Sequence, residues 1–257
     1  MFKGAAPGLL AVLLTASAVA QFPGPPPEPA DAPDADGKPP APPAVKELDE
    51  ERLQIGEVIL NRKTREIRFP AQVNMAGDEL LEFAIVHVNG KVHESLLSTR
   101  ISPLHLNVAL KLLRYQPSPE LYPVLNEDGT PSQKFPAVPE EVKAASRLEV
   151  KVEWEDEGKT RTALINEWIT DTTTGKSMPA DPWVYGGSFT ANGRYAAEAT
   201  GDILAIYLST TTMANFSGKD NDTDEVWLPF PKRVPPVGTK VTVSIRPYSK
   251  TAAPDKP

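Results

Sequence analysis

The strongest pattern along the chain is a two-residue alternation of apolar and polar side chains, which is the period of a half-buried β-strand. Residues 57–73, "EVILNRKTREIRFPAQV", alternate in this way on both sides of residues 61–64, so two strands joined by a turn are predicted. Pro70 has no backbone N–H to donate, and we therefore expect it at a sheet edge or a bulge.

Two further stretches predict hairpins. Residues 80–97, "LLEFAIVHVNGKVHESLL", carry Asn89-Gly90 at their centre, and this dipeptide suits the type I′ turn of a two-residue hairpin. Residues 147–169 alternate around a Glu-Gly pair and predict a second hairpin. Additional strands are predicted within residues 183–189, 202–208, 225–230 and 239–245.

One helix stands out from the strands. Residues 102–115, "SPLHLNVALKLLRY", begin with Ser102 as the N-cap and Pro103 at the first helical position. Strands and helices do not alternate regularly elsewhere. The sequence therefore predicts an α+β fold, with a single antiparallel-strand-rich domain and one main amphipathic helix.

The two ends of the chain differ in composition from its middle. Residues 1–20 combine an early lysine, a short apolar run and a small-x-small motif, which predict a signal peptide cut after Ala20 and no transmembrane span after cleavage. The proline-rich residues 21–46 have too few apolar side chains to fold, so they are predicted to form a disordered linker. We expect a globular domain at residues 47–248, a disordered tail at residues 249–257, and export to the periplasm or the cell exterior.

A second proline-rich stretch interrupts the domain at residues 115–141. Its length and lack of periodicity predict a long surface insertion, and an insertion of this kind is either functional or simply mobile.

Composition excludes several classes of function. The 257 residues contain no cysteine, so disulfides, thiolate metal sites and iron–sulfur clusters are ruled out. The formal net charge is −7 and no Lys/Arg cluster breaks the acidic balance. We therefore expect no nucleic-acid partner.

The three histidines of the chain, His87, His93 and His105, are the first candidates for a site. A two-residue turn at positions 89 and 90 would place Val86 opposite His93, and directly opposed residues share a face of the sheet. His87 would then lie on the other face, so His87 and His93 are not expected to bind one metal.

His105 is expected to point inward from the helix, because Asn107, Lys111 and Arg114 form a stripe on the nearly opposite side that should be solvated. A buried neutral imidazole is either a hydrogen-bonded part of the core or a metal ligand. The candidate ligands of a divalent metal are His93, Glu94 and His105.

The run His93, Glu94 and Ser95 contains the residue types of a hydrolase triad. In a strand, however, Glu94 points away from both of its neighbours, whereas a nucleophile and its base must face each other. A triad made of these three residues alone is not expected.

A second candidate metal site lies in "GKDNDTDEVW", where Asp220, Asp222 and Asp224 occupy alternate positions. Alternate carboxylates begin many calcium loops, but an EF-hand also needs a glycine and a glutamate where this chain has Glu225 and Pro231. The segment is either an acidic solvated turn or a calcium site that stabilises a loop.

Three segments together resemble the YdjY-type domain of exported bacterial proteins: "NRKTREIRFPAQVNM", "GKVHESLLSTRISPLHLNVALKLL" and "GTKVTVSI". The resemblance spans about residues 57–247 and is most specific in the His-Glu-Ser-Leu-Leu run. It implies an exported domain without an established activity. Some relatives are described as ferredoxin-like, a property that cannot transfer to a chain without cysteine. The positions that the resemblance marks are His93, Glu94, Ser95 and His105.

These observations favour a non-enzymatic exported domain that binds a protein, a peptide or an envelope component, with residues 21–46 as a spacer. The alternative is a metal-binding or metal-dependent domain that uses His93 and His105. A hydrolase is least favoured, because the local geometry gives Ser95 no base.

Overall fold

A computed structural model describes residues 43–249. The predicted signal peptide, most of the predicted linker and nearly all of the predicted tail lie outside these residues. In chain order the described strands are β1 (Val45–Glu47), β2 (Arg52–Ile55), β3 (Val58–Asn61), β4 (Glu66–Val73), β5 (Phe83–His87), β6 (Ser95–Thr99), β7 (Arg147–Asp156), β8 (Lys159–Leu164), β9 (Ile169–Asp171), β10 (Trp183–Tyr185), β11 (Thr190–Ala191), β12 (Arg194–Tyr195), β13 (Asp202–Ala205), β14 (Ala214–Phe216), β15 (Trp227–Pro229) and β16 (Lys240–Pro247).

The helices in this part of the chain are short. They are α1 (Pro103–Leu112), α2 (Glu140–Ser146) and α3 (Ala196–Thr200), and single turns of 3-10 helix occupy Val92–Glu94 and Ile165–Trp168. No helix among residues 43–249 is long and apolar enough to cross a membrane.

Eight strands close into a barrel in the pairing order β4, β16, β7, β10, β14, β13, β5, β6 and back to β4. Most neighbours are antiparallel, but β13 pairs with β14, and β5 with β6, in parallel. The hairpin strands β1, β2 and β3 extend the sheet outward from β4, and β8 pairs with β7. The barrel interior and the elements covering it hold one large apolar core.

The prediction of an α+β fold with one main helix is therefore wrong, because the described chain is mostly β. Helix α1 has only ten residues and packs on β2, β3 and α3 at one side of the barrel. Alternation identifies individual strands, but it does not reveal that strands remote in sequence close into a barrel. The predicted fold class therefore gave too much weight to the one helix that the sequence pattern indicates.

Two of the predicted strand pairs are confirmed. β3 and β4 are antiparallel and are joined by residues 62–65. β7 and β8 form the second hairpin, in which Glu157 and Gly158 both adopt positive φ, at 48° and 74°. A type I′ turn requires this conformation at both central positions.

Pro70 lies inside β4, at the point where the partner strand on one side changes from β3 to β6. Its carbonyl accepts a hydrogen bond of 2.6 Å from Thr99 Oγ1. The predicted edge position is therefore present locally, although β4 itself is an inner strand of the sheet.

The predicted hairpin at Asn89-Gly90 is wrong. β5 and β6 run parallel, and neither Asn89 nor Gly90 has a positive φ. Gly90 instead allows a close approach of two backbones, because a Cβ there would lie 3.0 Å from Thr200 O and 3.3 Å from Gly201 Cα. The glycine serves a contact with a distant part of the chain, and the turn is not of type I′.

The connection from β5 to β6, residues 88–94, crosses one face of the sheet. Ala84 and Ile85 of β5 belong to the main core, whereas Phe83 and Val86 form a separate small cluster with Ala205. Val92 of the connection packs on this second cluster. The segment that carries the His-Glu-Ser run is thus a cover over the other face of β5.

Helix α1 begins as predicted. Ser102 is the N-cap, and its Oγ accepts a hydrogen bond from the backbone N–H of His105 at 3.2 Å. Glu198 of α3 adds to the cap, since its Oε2 accepts hydrogen bonds of 2.8 Å from Ser102 Oγ and from Leu104 N. A carboxylate at this position also complements the positive end of the helix dipole.

The predicted solvated stripe of α1 is only partly correct. Lys111 and Arg114 are exposed, but Asn107 is 5% exposed and accepts a hydrogen bond from the hydroxyl of Tyr185. His105 is half-buried rather than deeply inward-facing. A polar side chain with a buried partner cannot be told from a solvated one by its spacing in the sequence.

Candidate functional site

The residues marked by the His-Glu-Ser run do not form a catalytic set. His93 and Glu94 lie in the 3-10 turn, and Ser95 is the first residue of β6. The His93 side chain is 78% exposed. Ser95 is completely buried, and its hydroxyl donates to the carbonyl oxygen of Leu97 at 2.9 Å. A buried, hydrogen-bonded serine beside an exposed histidine is a structural residue in this arrangement.

Glu94 belongs instead to a small charged cluster with Glu82 and Lys91, which we call the bridged acid pair. Lys91 Nζ lies 3.1 Å from Glu94 Oε1 and 3.4 Å from Glu82 Oε2. The two carboxylates are largely buried, with 19% and 22% of their side chains exposed. Nε2 of His93 approaches Glu94 Oε2 only to 3.9 Å, so the imidazole is a peripheral member.

The electrostatics of the bridged acid pair follow from its burial. Burial and the nearby Glu94 carboxylate raise the pKa of Glu82, and Lys91 only partly offsets these effects. For Lys91, burial acts to lower the pKa, but the two carboxylates outweigh it and the net direction is upward. Lys91 thus offsets one of the two negative charges and weakens the repulsion between the two acids.

Backbone contacts hold the bridged acid pair in place. The amide N–H of Glu82 donates to the Glu94 carbonyl at 3.0 Å. The Asn74 side chain donates to the carbonyls of Val92 and Ser95, at 2.5 and 2.8 Å, and so fixes both ends of the 3-10 turn. These contacts account for the local sequence of the His-Glu-Ser segment without a ligand.

The predicted metal ligands are not brought together. Among residues 43–249, no group of three or more His, Asp and Glu side chains has a geometry that could hold a metal ion. His105 packs on the turn between β2 and β3, where a Cβ at Gly56 would lie 2.6 Å from its Nδ1. The metal hypothesis for His93, Glu94 and His105 stays a prediction from sequence.

The carboxylates of the acidic loop, residues 220–225, are also not arranged in a way that could hold a metal ion. Asp222 and Asp224 are exposed to solvent. The carbonyl of Asp220 accepts a hydrogen bond of 3.1 Å from the indole of Trp227, and its carboxylate lies 3.4 Å from Lys219 Nζ. The calcium site likewise stays a prediction, and the contacts that are present are those of a structured turn.

A cleft of about 350 Å³ lies elsewhere on the molecule, and we call it the Glu120 cleft. Its lining combines two carboxylates, one guanidinium, two hydroxyl groups and two apolar side chains. These residues are Glu120, Leu121, Arg147, Asp181, Pro182, Ser217 and Tyr248. Concave sites with a few convergent polar groups are where proteins most often bind small ligands.

Glu120 and Arg147 form an ion pair in the lining of this cleft. Nη2 of Arg147 lies 3.4 Å from Oε2 of Glu120, and only 10% of the Glu120 side chain is exposed. The second carboxylate oxygen, Oε1, and the Nε of Arg147 are buried and find no hydrogen-bond partner among residues 43–249. A buried acceptor and a buried donor of the same ion pair thus lack hydrogen-bond partners, which is costly in a folded protein.

The hydroxyl groups of the cleft have backbone partners. Ser217 Oγ donates to Pro182 O at 2.6 Å, and the hydroxyl of Tyr248 donates to Ala180 O at 3.3 Å. Their lone pairs remain free to accept hydrogen bonds. Gly218 leaves room for Asp181, since a Cβ there would lie 2.8 Å from Asp181 Oδ2.

The long insertion supplies Glu120 and is firmly attached. Glu120 N donates to Ser118 Oγ at 3.2 Å, and Ser118 N donates to Tyr185 O in β10. Tyr122 contacts β14 and the loop before it: its hydroxyl accepts from Asn215 of β14 at 2.8 Å and donates to Ser209 O in the loop at 3.2 Å. Burial raises the pKa of Tyr122 to about 12, so the phenol keeps its proton.

None of the polar residues of the Glu120 cleft is among the site residues that the sequence predicts. They come from the insertion, the start of β7, the segments flanking β10 and β14, and the end of β16. The insertion itself was the one usable signal, because long non-periodic segments inside a domain often line functional sites.

Comparison with known proteins identifies the family. The model of the YdjY domain matches residues 58–246, which is most of the chain. The protein therefore belongs to the YdjY domain family, as the sequence resemblance suggested, and this family has no established function. No curated protein and no solved structure matches the chain.

Proposed function

We propose that this protein is a non-enzymatic binding domain of the cell envelope and that the Glu120 cleft is its ligand site. The observation that carries the proposal is the pair of unpartnered buried atoms, Glu120 Oε1 and Arg147 Nε. A ligand that satisfies both atoms removes a desolvation cost that the free protein carries, and this favours binding.

The surroundings of the cleft support a binding role over a catalytic one. The lining of the cleft holds no histidine, and its serine hydroxyl, Ser217 Oγ, donates to the carbonyl of Pro182 rather than to a carboxylate that could activate it. The volume of about 350 Å³ is at the lower end of the usual range for small-ligand sites. The ligand is therefore a small molecule or the end of a larger one.

Export remains part of the proposal and rests on the sequence of residues 1–20. It is tested by expressing the full chain in a bacterium and sequencing the amino terminus of the protein recovered from the periplasm or medium. The expected first residue is Gln21, and an intact Met1 in the cytoplasm would contradict the export proposal.

Binding is tested by a thermal-shift screen of amino acids, short peptides, sugars and amines against the wild-type protein and two variants. Glu120→Gln removes the central carboxylate, and Glu51→Gln is the matched control because Glu51 is exposed and pairs only with Lys63 at the surface. A true ligand raises the melting temperature of the wild type and of Glu51→Gln but not of Glu120→Gln.

Two results would overturn the proposed function. A screen in which no compound discriminates Glu120→Gln from the control removes the cleft as the ligand site. Chemical conversion of a bound compound, detected by mass spectrometry after incubation with the protein, contradicts the non-enzymatic role.

A further inference from the structure

We propose that the Glu120 cleft recognises a primary ammonium group together with the carbonyl group next to it, as found in an amino-acid unit with a free α-amino group. This inference rests on the proposed function, because it specifies the ligand class of the same site. The shared chemistry occurs in free amino acids and at the amino terminus of a peptide.

The polar atoms of the cleft define what the ligand must offer. Glu120 Oε1 is an acceptor that requires a donor, and Arg147 Nε is a donor that requires an acceptor. A simple anion would satisfy Arg147 and leave Glu120 unpaired, whereas a simple amine would do the reverse. The ligand therefore carries a donor and an acceptor close together.

Charge decides which donor is preferred. The lining contains the carboxylates of Glu120 and Asp181 and a single cation, Arg147, so it is negative by one unit. An ammonium group balances this charge and supplies three N–H donors, which suits a site with two carboxylates. A neutral amide would provide the donor but not the charge.

The acceptor of the ligand must sit beside its ammonium group, because Glu120 and Arg147 are in direct contact at 3.4 Å. In an α-amino acid unit only two carbon atoms separate the nitrogen from the carbonyl oxygen, so both groups reach adjacent partners. The side chain of the unit would then face Leu121, Pro182 and the ring of Tyr248.

The size of the cleft limits the ligand to a short unit. A volume of about 350 Å³ accommodates one or two residues rather than a long extended peptide. Glu120 is also nine-tenths buried and its Oε1 exposes almost no surface, so binding of an ammonium group requires the Glu120 side chain to turn toward the cleft.

The test uses isothermal titration calorimetry of the full-length protein with alanine, alanine amide and alanyl-alanine, each compared with its N-acetyl form. Acetylation removes the positive charge while it keeps the carbonyl group. We expect the free-amine probes to bind, and acetylation to weaken binding about tenfold or more, because a charge-assisted hydrogen bond is lost.

The free amino acid and the peptide terminus are distinguished by the same probes. Tighter binding of alanyl-alanine and alanine amide than of alanine points to a peptide amino terminus. Tighter binding of alanine, whose carboxylate adds a charge next to Arg147, points to a free amino acid.

Variants separate this inference from the proposed function. Glu120→Gln and Asp181→Asn should each weaken binding of the free-amine probes, the first about tenfold or more, while Glu51→Gln leaves it unchanged. Circular dichroism and melting temperature establish that each variant is folded.

Three outcomes would overturn the inference. These are equal binding of the acetylated probes, equal binding by Glu120→Gln, or no binding of any amine probe. If another compound of the thermal-shift screen binds in a Glu120-dependent way, the ligand class fails and the proposed function stands. If no compound does, both fail.

Discussion

The bridged acid pair and the Glu120 cleft have the same charged groups, two carboxylates and one cation, but different partners. In the bridged acid pair, Lys91 Nζ lies within 3.4 Å of both Glu82 and Glu94. In the Glu120 cleft, Arg147 contacts one oxygen of Glu120, and its own Nε is left without a partner among the described residues.

The difference shows that the composition of a charged cluster does not reveal how its charges are paired in the folded protein. Glu94 Oε1 lacks a hydrogen bond of good geometry, yet the ion pair of 3.1 Å with Lys91 compensates its charge. Glu120 Oε1 likewise has no hydrogen-bond partner among the described residues, and the contact of Glu120 with Arg147 is made by its other oxygen, Oε2, at 3.4 Å. In the first cluster the cation lies close to both acids, whereas in the second it contacts one oxygen of one acid.

The largest expected effect on stability comes from Arg147→Gln in the cleft. The substitution leaves the nine-tenths buried Glu120 carboxylate without its cation, which should lower the free energy of unfolding by about 2 kcal/mol. Urea denaturation measures this loss. The control is Arg161→Gln, where the partner Asp156 is half exposed, and a change below about 0.5 kcal/mol is expected. Equal losses of unfolding free energy in the two variants would contradict the inference that the buried Glu120 carboxylate depends on its cation.

A smaller effect is expected from Lys91→Met in the bridged acid pair. Removal of the shared cation leaves two adjacent carboxylates, so the variant should lose about 1 kcal/mol at neutral pH and recover as the pH falls and one carboxyl takes up a proton. Melting temperatures between pH 4 and pH 8 (roughly the range in which shifted carboxyl groups titrate) measure this. Lys63→Met, at an exposed pair, should show no such recovery; a pH-independent loss in Lys91→Met would contradict the bridging role.

The smallest effect is expected from Glu82→Gln, and its sign is the informative part. The pKa of Glu82 is raised in the folded protein, so its ionisation costs stability as the pH rises through that pKa, and the cost is absent where the carboxyl is protonated in both states. Glu82→Gln should therefore be more stable than the wild type by about 0.5 kcal/mol at neutral pH, a gap that closes in acid. Glu153→Gln, which loses an exposed pair with Arg68, should not gain stability. A destabilised Glu82→Gln would show that the Lys91 contact outweighs the repulsion.

Local interactions explain what could be predicted from the sequence. The Glu157-Gly158 hairpin and the Ser102 cap depend on residues within a few positions of each other, and both are confirmed. Asn89-Gly90 carries the same local signal, but Gly90 approaches Gly201 from far along the chain and the hairpin does not form. Distant contacts of this kind leave no periodic trace.

The candidate site could not be predicted from the sequence for the same reason, because distant contacts bring its residues together. Helix spacing predicts that Asn107 is solvated, because its hydrogen-bond partner, Tyr185, lies 78 positions away in the sequence. Glu120 and Arg147 are 27 positions apart and join only after the insertion folds back onto β10. The family resemblance, by contrast, needed no spatial information, and it is confirmed over residues 58–246.

The position of β16 has a consequence for how the protein reaches its native state. Of the strands in residues 43–249, β16 is the last in sequence, yet it lies between β4 and β7 in the barrel. Those two strands keep unpaired edges until residues 240–247 have been synthesised, and edges of this kind invite aggregation. Contacts between the start and the end of a chain also form slowly. The barrel therefore closes only after residues 240–247 have been synthesised, so the order of synthesis and the order of the strands in the barrel differ.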